Sequence, residues 1–154
     1  MRGFLLISVR ARNKTMKAYL RLKVLGEQEG ELHVAIDACN GQSATVLDFY
    51  AYRDDWRQFA ERLVEFPKST SDEARCELGE DDEKWAYYLL LRAFCFDLAG
   101  HAALEVAAFA NFTPPRGHRE RFFIEAEPAA LNRLGDTIID FLSGGTEALE
   151  WEPR

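Results

Sequence analysis

Three histidines, His33, His101 and His118, and three cysteines, Cys39, Cys76 and Cys95, are the residues of this chain best suited to hold a metal or attack a substrate. Their spacing supports neither. A zinc or metalloprotease site brings donors together through short repeats such as C-x-x-C or H-E-x-x-H, because a tight loop or a helix turn must aim two ligands at one ion. No such repeat occurs. The cysteines are odd in number and far apart, which fits a reducing compartment, and Cys39 and Cys95 lie among apolar residues as packing groups. A serine nucleophile would need a G-x-S-x-G elbow, whereas Ser143 precedes Gly144 at an expected helix end. The glycine pair Gly144 and Gly145 follows that helix, so it cannot cradle a phosphate at a helix N-terminus. His33 alternates with an apolar strand face and is expected to be exposed, while His101 and His118 fall in turns and take ordinary hydrogen-bonding roles. The chain therefore reads as a non-enzyme that needs no metal and no cofactor.

Charge offers a different chemistry. The net charge is −7, and residues 72–83 (DEARCELGEDDE) hold Asp72, Glu73, Glu77, Glu80, Asp81, Asp82 and Glu83 against the single base Arg75, leaving the rest of the chain almost neutral. Such a patch repels phosphate backbones and attracts basic surfaces, so the expected partner is a basic protein and not nucleic acid. Glu77, Glu80, Asp81, Asp82 and Glu83 are the candidate partner-binding residues, beside the plainer reading of an acidic loop that confers solubility. Arg116, His118, Arg119 and Arg121 form a small basic cluster, interrupted by Glu120 and read as a solvated loop rim. The aromatic stripe Trp85, Tyr87, Tyr88, Phe94 and Phe96 reads as sheet core.

The elements that must position these residues follow from periodicity. Residues 17–25 alternate apolar and basic, GEQEG at 26–30 turns, and Leu32, Val34, Ile36 and Ala38 form a second strand. An Asn40-Gly41 turn leads into a strand over 45–52, and Asp54 is placed to cap a helix carrying Trp56, Phe59, Ala60, Leu63 and Phe66 up to Pro67. A short strand is expected around 75–78, a long one within 84–97, then a turn at 98–101, a strand over 102–112, the stiff loop TPPRG, and a strand over 119–127. Pro128 opens a last helix that runs to about Leu142 and is stopped by Gly144 and Gly145. The order is β-β-β-α-β-β-β-β-α, an α+β domain with an antiparallel sheet and two helices.

Two stretches, about 31–66 and 103–141, read as one strand-strand-helix module written twice. An offset of 75 sets Leu47 on Phe122, Phe49 on Ile124, Ala51 on Ala126, Trp56 on Leu131, Phe59 on Leu134, Leu63 on Ile138 and Phe66 on Phe141. Apolar positions coincide while identities differ, the mark of a pattern constrained by packing. The 154 residues suit a single domain that buries roughly 70% of its unfolded surface. Hydrophobic residues at 47% and charged residues at 29% exclude a disordered chain, and no apolar run reaches the roughly 18 residues that a membrane span requires. Phe4–Val9 is too short for a signal peptide and is followed at once by Arg10, Arg12 and Lys14, which points to the cytoplasm. Residues 1–15 are expected to be an extra strand or a disordered arm, and either Met1 or Met16 suits a natural start.

At LLLRAFCFDLAGHAALEVAAFANF, residues 89–112, and ERFFIEAEPAALNRLGDTIIDFL, residues 120–142, the chain resembles the WapI family of bacterial immunity proteins. Phe59 and Leu63 match that family's first helix, Asp97, Gly100 and His101 its D-x-x-G-H turn, and Phe123, Glu125 and Leu131 its last strand and helix. The likeness covers about residues 17–142. Pro128 with its alanine pair, and the basic segment Arg2–Lys14, depart from the pattern. The resemblance implies an inhibitor that binds a cognate toxin passed between bacteria, typically a nuclease acting on tRNA. The alternative is a non-catalytic binding module for another cytoplasmic protein or a small ligand.

Overall fold

The computed structural model describes residues 16–144 and 146–154. Residues 1–15 and Gly145 lie outside the described residues, and with them the expected extra strand or arm and the second half of the glycine stop. The chain runs β1 (Tyr19–Gln28), β2 (Glu31–Cys39), β3 (Ala44–Tyr52), α1 (Arg53–Glu65), β4 (Glu73–Gly79), β5 (Tyr87–Cys95), β6 (Ala102–Ala110), β7 (His118–Glu125), α2 (Pro128–Leu142) and β8 (Ala148–Trp151). This is the α+β, antiparallel, two-helix class that the periodicity implies. The strands divide into two four-stranded sheets, ordered β3-β2-β1-β8 and β4-β5-β6-β7.

Local chemistry explains most boundaries. The turn expected over 26–30 shrinks to Glu29 and Gly30, whose φ values of 53° and 85° are the paired left-handed residues of a tight hairpin, while a bulge between Val24 and Gly26 lets β1 continue. Asp54 is not the helix cap. The chain passes from β3 into α1 without a loop, Tyr52 takes the cap position, and the Asp55 carboxylate accepts the Tyr52 N–H at 3.3 Å. Pro128 stands in the first turn of α2, as its fixed φ favours, and Gly144 follows the helix end at φ 88°.

The two modules have matching registers. Leu47 faces Ile36 and Phe49 faces Val34 across β3 and β2, while Phe122 faces Val106 and Ile124 faces Leu104 across β7 and β6. The offset of 75 also places Arg53 on Pro128, the first residues of the two helices. Each helix is then followed by a strand that joins the other module's sheet: β4 pairs with β5, and β8 pairs with β1. The inner faces of both sheets and the buried faces of both helices form one apolar core.

The helices meet closely at Gly135. A Cβ there would stand 2.7 Å from the Ala60 carbonyl oxygen and 2.9 Å from Leu63 Cβ, distances that side chains do not tolerate against backbone. Asn132 Nδ2 donates to the Leu63 and Phe66 carbonyls at 2.8 and 2.6 Å, satisfying acceptors at the α1 C-terminus, and Arg53 Nη1 at the start of α1 donates to the Leu142 carbonyl at the end of α2 (3.0 Å). Gly135→Ala should therefore destabilise the fold by about 1–3 kcal/mol, although alanine is the better helix former by about 1 kcal/mol. Phe59→Ala and Leu134→Ala should each cost about 2–5 kcal/mol in chemical denaturation. A neutral or stabilising Gly135→Ala would mean that the helices do not approach at this point.

Candidate binding surface

Strand alternation sends one set of side chains of the β4-β5-β6-β7 sheet into the core and the other set outward. The outward rows, read from β4 to β7, are Glu73-Phe94-Ala103-Glu125, Arg75-Arg92-Glu105-Phe123 and Glu77-Leu90-Ala107-Arg121. Glu105 lies at their centre, only 5% exposed. Its carboxylate accepts from Arg92 Nε at 2.6 Å and from Arg121 Nη1 at 2.5 Å, and Arg92 reaches on to Glu73 at 3.2 Å. Burial alone would raise the Glu105 carboxyl, but the Arg92 and Arg121 hydrogen bonds outweigh it and hold the group below the usual carboxylate range. This network is not among the sequence expectations above. Its signal was present: Glu105 is the one charge in the apolar run 102–112, and a carboxylate there needs partners.

The acidic run lies along one edge and one end of this sheet. Glu77 bonds Arg75 Nη2 at 3.2 Å and accepts the Tyr88 hydroxyl. The Tyr88 hydrogen bond, with Arg75 adding to it, lowers the Glu77 carboxyl, while burial and then Glu77 push the Tyr88 hydroxyl up to about 12. Asp81 pairs with Arg119 at 2.9 Å. The Asp82 carboxylate takes the Lys84 N–H at 3.0 Å, and its carbonyl accepts from Trp85 N at 2.9 Å and Asn111 Nδ2 at 3.2 Å. Glu80 and Glu83 are exposed. The five candidate residues are thus neighbours but not equivalents. Glu77 and Asp81 have basic partners, Asp82 shapes the turn, and Glu80 and Glu83 face solvent.

The basic cluster, separate in sequence, stands beside the acids. Glu83 lines a cleft of about 720 Å³ with Asn111, Phe112, Pro114, His118 and Arg119. Arg119 also lies 3.9 Å over the Phe109 ring, so one side chain joins the acidic loop to the outer sheet face. The aromatic stripe divides between the two faces. Tyr88 packs outward with Phe109, Tyr87 packs against the main core, and Trp85 and Phe96 are exposed.

The remaining candidates are apart from this site. His101 Nδ1 is 2.6 Å from Asp97 Oδ2 in the β5-β6 turn, and the same aspartate caps the His101 N–H at 3.0 Å. His33 stacks on Tyr50, ring centroids 4.6 Å apart. Cys76 is buried, and desolvation, aided by Asp55 and Glu77, pushes its thiol up to about 12, far from a thiolate nucleophile. Among the described residues no group of three His, Cys, Asp or Glu is placed to hold a metal, and no helix is long and apolar enough to cross a membrane.

Two pH dependences follow. Glu105 has a depressed folded-state pKa, so the stability it contributes is present above the ordinary carboxylate value and is lost as pH falls through the lowered one. Glu105→Gln should flatten the acid limb of stability against pH and destabilise at pH 7 by less than the about 3–5 kcal/mol of a fully buried pair, because Arg121 keeps solvent access. An unchanged acid limb would remove Glu105 from that role. The Asp97 hydrogen bond, then its charge, raises the His101 imidazole, while the same bond lowers Asp97. Ring-proton NMR should find His101 titrating above the free-histidine range and returning toward it in Asp97→Asn. A His101 titration unaffected by Asp97→Asn would show that the pair is not formed.

No protein-family model matches the chain, and no curated protein is similar to it in sequence. Among solved structures it is similar to the plant transcriptional regulator PBF-2, at 7% identity, 83% coverage of this chain, 77% of that one and a TM-score of 0.46. Likeness of that degree assigns neither function nor descent.

Proposed function

We propose that this protein is an immunity protein, one that binds a cognate bacterial toxin in the cytoplasm and inhibits it, the toxin being a basic nuclease that acts on tRNA. The observation that carries this reading is the acidic β4-β5 loop, whose Asp82 and Trp85 carbonyls are both pinned by Asn111 Nδ2 while Glu80 and Glu83 remain exposed. Carboxylates on an anchored loop act as a fixed charge array. A nuclease surface that grips phosphate is basic, so such an array steers it into contact and occupies the groove that the nucleic acid would use. The pattern resemblance of residues 17–142 to the WapI family supports the same partner class. A second reading, a binding module for a small ligand, draws on the cleft between Glu83 and Arg119.

Coexpression with a candidate basic nuclease toxin domain, followed by copurification, tests the reading directly. Neutralising Glu80, Asp82 and Glu83 to Gln or Asn should slow association about tenfold at low salt and far less near 1 M, where the Debye length falls to about 3 Å. Stopped-flow association rates measure this. Equal rates for both proteins at low salt would make the loop a solubility feature.

A further inference from the structure

Among the described residues four strand edges border the two sheets, and three of them are blocked. The β4 edge carries Glu73, Arg75 and Glu77, and Arg62 donates to the Glu73 carbonyl. On β7, charged side chains line the edge, and Asn40 Nδ2 occupies the Phe123 carbonyl at 3.2 Å. β8 is only four residues long. Charge and shortness are the ordinary means by which proteins stop an edge from pairing.

β3 lacks them. It runs for nine residues, and its outward side chains Val46, Tyr50 and Tyr52 are 57%, 48% and 55% exposed, with Asp48 the lone charge. The Asn40 N–H donates to the Ser43 carbonyl at 3.0 Å, which sets the hairpin so that Thr45, Leu47, Phe49 and Ala51 bond to β2. Ala44, Val46, Asp48, Tyr50 and Tyr52 therefore turn their backbone groups outward. Two contacts agree with that phase: Tyr87 Oη donates to the Tyr50 carbonyl at 2.9 Å, and the Tyr52 N–H goes to Asp55. Between them, the N–H and C=O of Ala44, Val46 and Asp48 and the Tyr50 N–H have no partner among the described residues.

We propose that this edge, over Ala44–Tyr50, takes up an extended segment of a protein partner in which two apolar residues flank a lysine or arginine at alternate positions. An added strand satisfies the free backbone groups and sets its own alternate side chains opposite Val46, Asp48 and Tyr50. The pattern apolar-x-base-x-apolar matches that row in either strand direction. His33, stacked on Tyr50 with Nε2 at 3.7 Å from Asp48, walls the row on its inner side. A second copy fits worse. Two-fold pairing of β3 with itself in the register centred on Asp48, the middle of the edge, opposes one Asp48 to the other, a destabilising like-charge pair, and registers centred on Val46 or Tyr50 leave fewer of the nine residues paired. The site is separate from the acidic loop and stands whether or not the partner is a nuclease.

The probes are two blocked peptides, TVTKTVT and its control TVTETVT, titrated to millimolar concentration into the full chain. The lysine peptide should slow amide exchange at Val46, Asp48 and Tyr50 and bind about tenfold more tightly than the glutamate peptide. Asp48→Lys should invert that preference, and Asp48→Asn should level it while leaving the amide spectrum elsewhere unchanged. Equal binding of the two peptides by the unaltered chain, or no protection on β3, overturns the proposal. So does a dimer of the unaltered chain whose β3 amides are protected, which would assign the edge to a second copy. Protection that is present without peptide and vanishes in a chain starting at Met16 would assign it to residues 1–15 and overturn the proposal equally.

Discussion

The contact on which the rest of this fold depends is the near approach of α1 and α2 at Gly135. With Ala60 and Leu63 pressed against a residue that has no side chain, the helices sit close enough for each to satisfy the other's terminal backbone groups. Asn132 closes the end of α1 and Arg53 closes the end of α2, so the tie is reciprocal. Because each helix is also the link that carries its following strand across to the opposite sheet, fixing the helix pair fixes where β4 and β8 can pair. Loosening that crossing would move both sheet edges at once. The single core is a consequence of this exchange, since each helix hands the chain from one sheet to the other and β8 returns to the sheet that β1 began.

Electrostatics then divides the molecule by face. The β4-β7 sheet satisfies its outward charges internally, through a chain running from Glu77 and Arg75 to Glu73, Arg92, Glu105 and Arg121. Such a network is worth little per exposed pair, but its central carboxylate is buried and must be matched. Beyond it, Glu80 and Glu83 are left facing solvent, and the run that dominates the formal charge is presented at one end of the sheet. Net charge in sequence therefore overstates the free charge in space, because Arg119 and Arg75 lie where the fold brings bases to acids.

The strands and helices were legible because alternation and the 3.6-residue period are local. The apolar pattern that recurs at offset 75 was legible because packing sets it even where the letters differ. β8 was not legible. Leu149 and Trp151 alternate into the core, but two apolar positions in four residues give no periodic signal. The division into two sheets was equally out of reach, since nothing local states which distant strand an edge will meet. Asp54 has the residue type of a cap, but β3 runs straight into α1 and leaves the cap position to Tyr52. Glu105 is the instructive omission: a charge inside an apolar strand demands partners, and Arg92 and Arg121 sit on the strands that flank it.

The acidic loop and the β3 edge differ in the range over which they act, and this decides what each would contribute to the proposed recognition. A charge array is felt across a Debye length, about 8 Å at physiological ionic strength, so it governs how fast and in what orientation a basic partner arrives. Backbone hydrogen bonds and cross-strand contacts act only once strands are about 4.8 Å apart, so an open edge governs how long a partner stays. In a small protein whose core is closed by a helix pair and whose other edges are blocked by charge or by shortness, groups proposed for recognition lie at the periphery, away from Gly135 and the residues packed around it. Substitutions in the exposed row Val46-Asp48-Tyr50 or in the loop from Glu80 to Glu83 would therefore change the proposed contacts with a partner while leaving the packing around Gly135 in place.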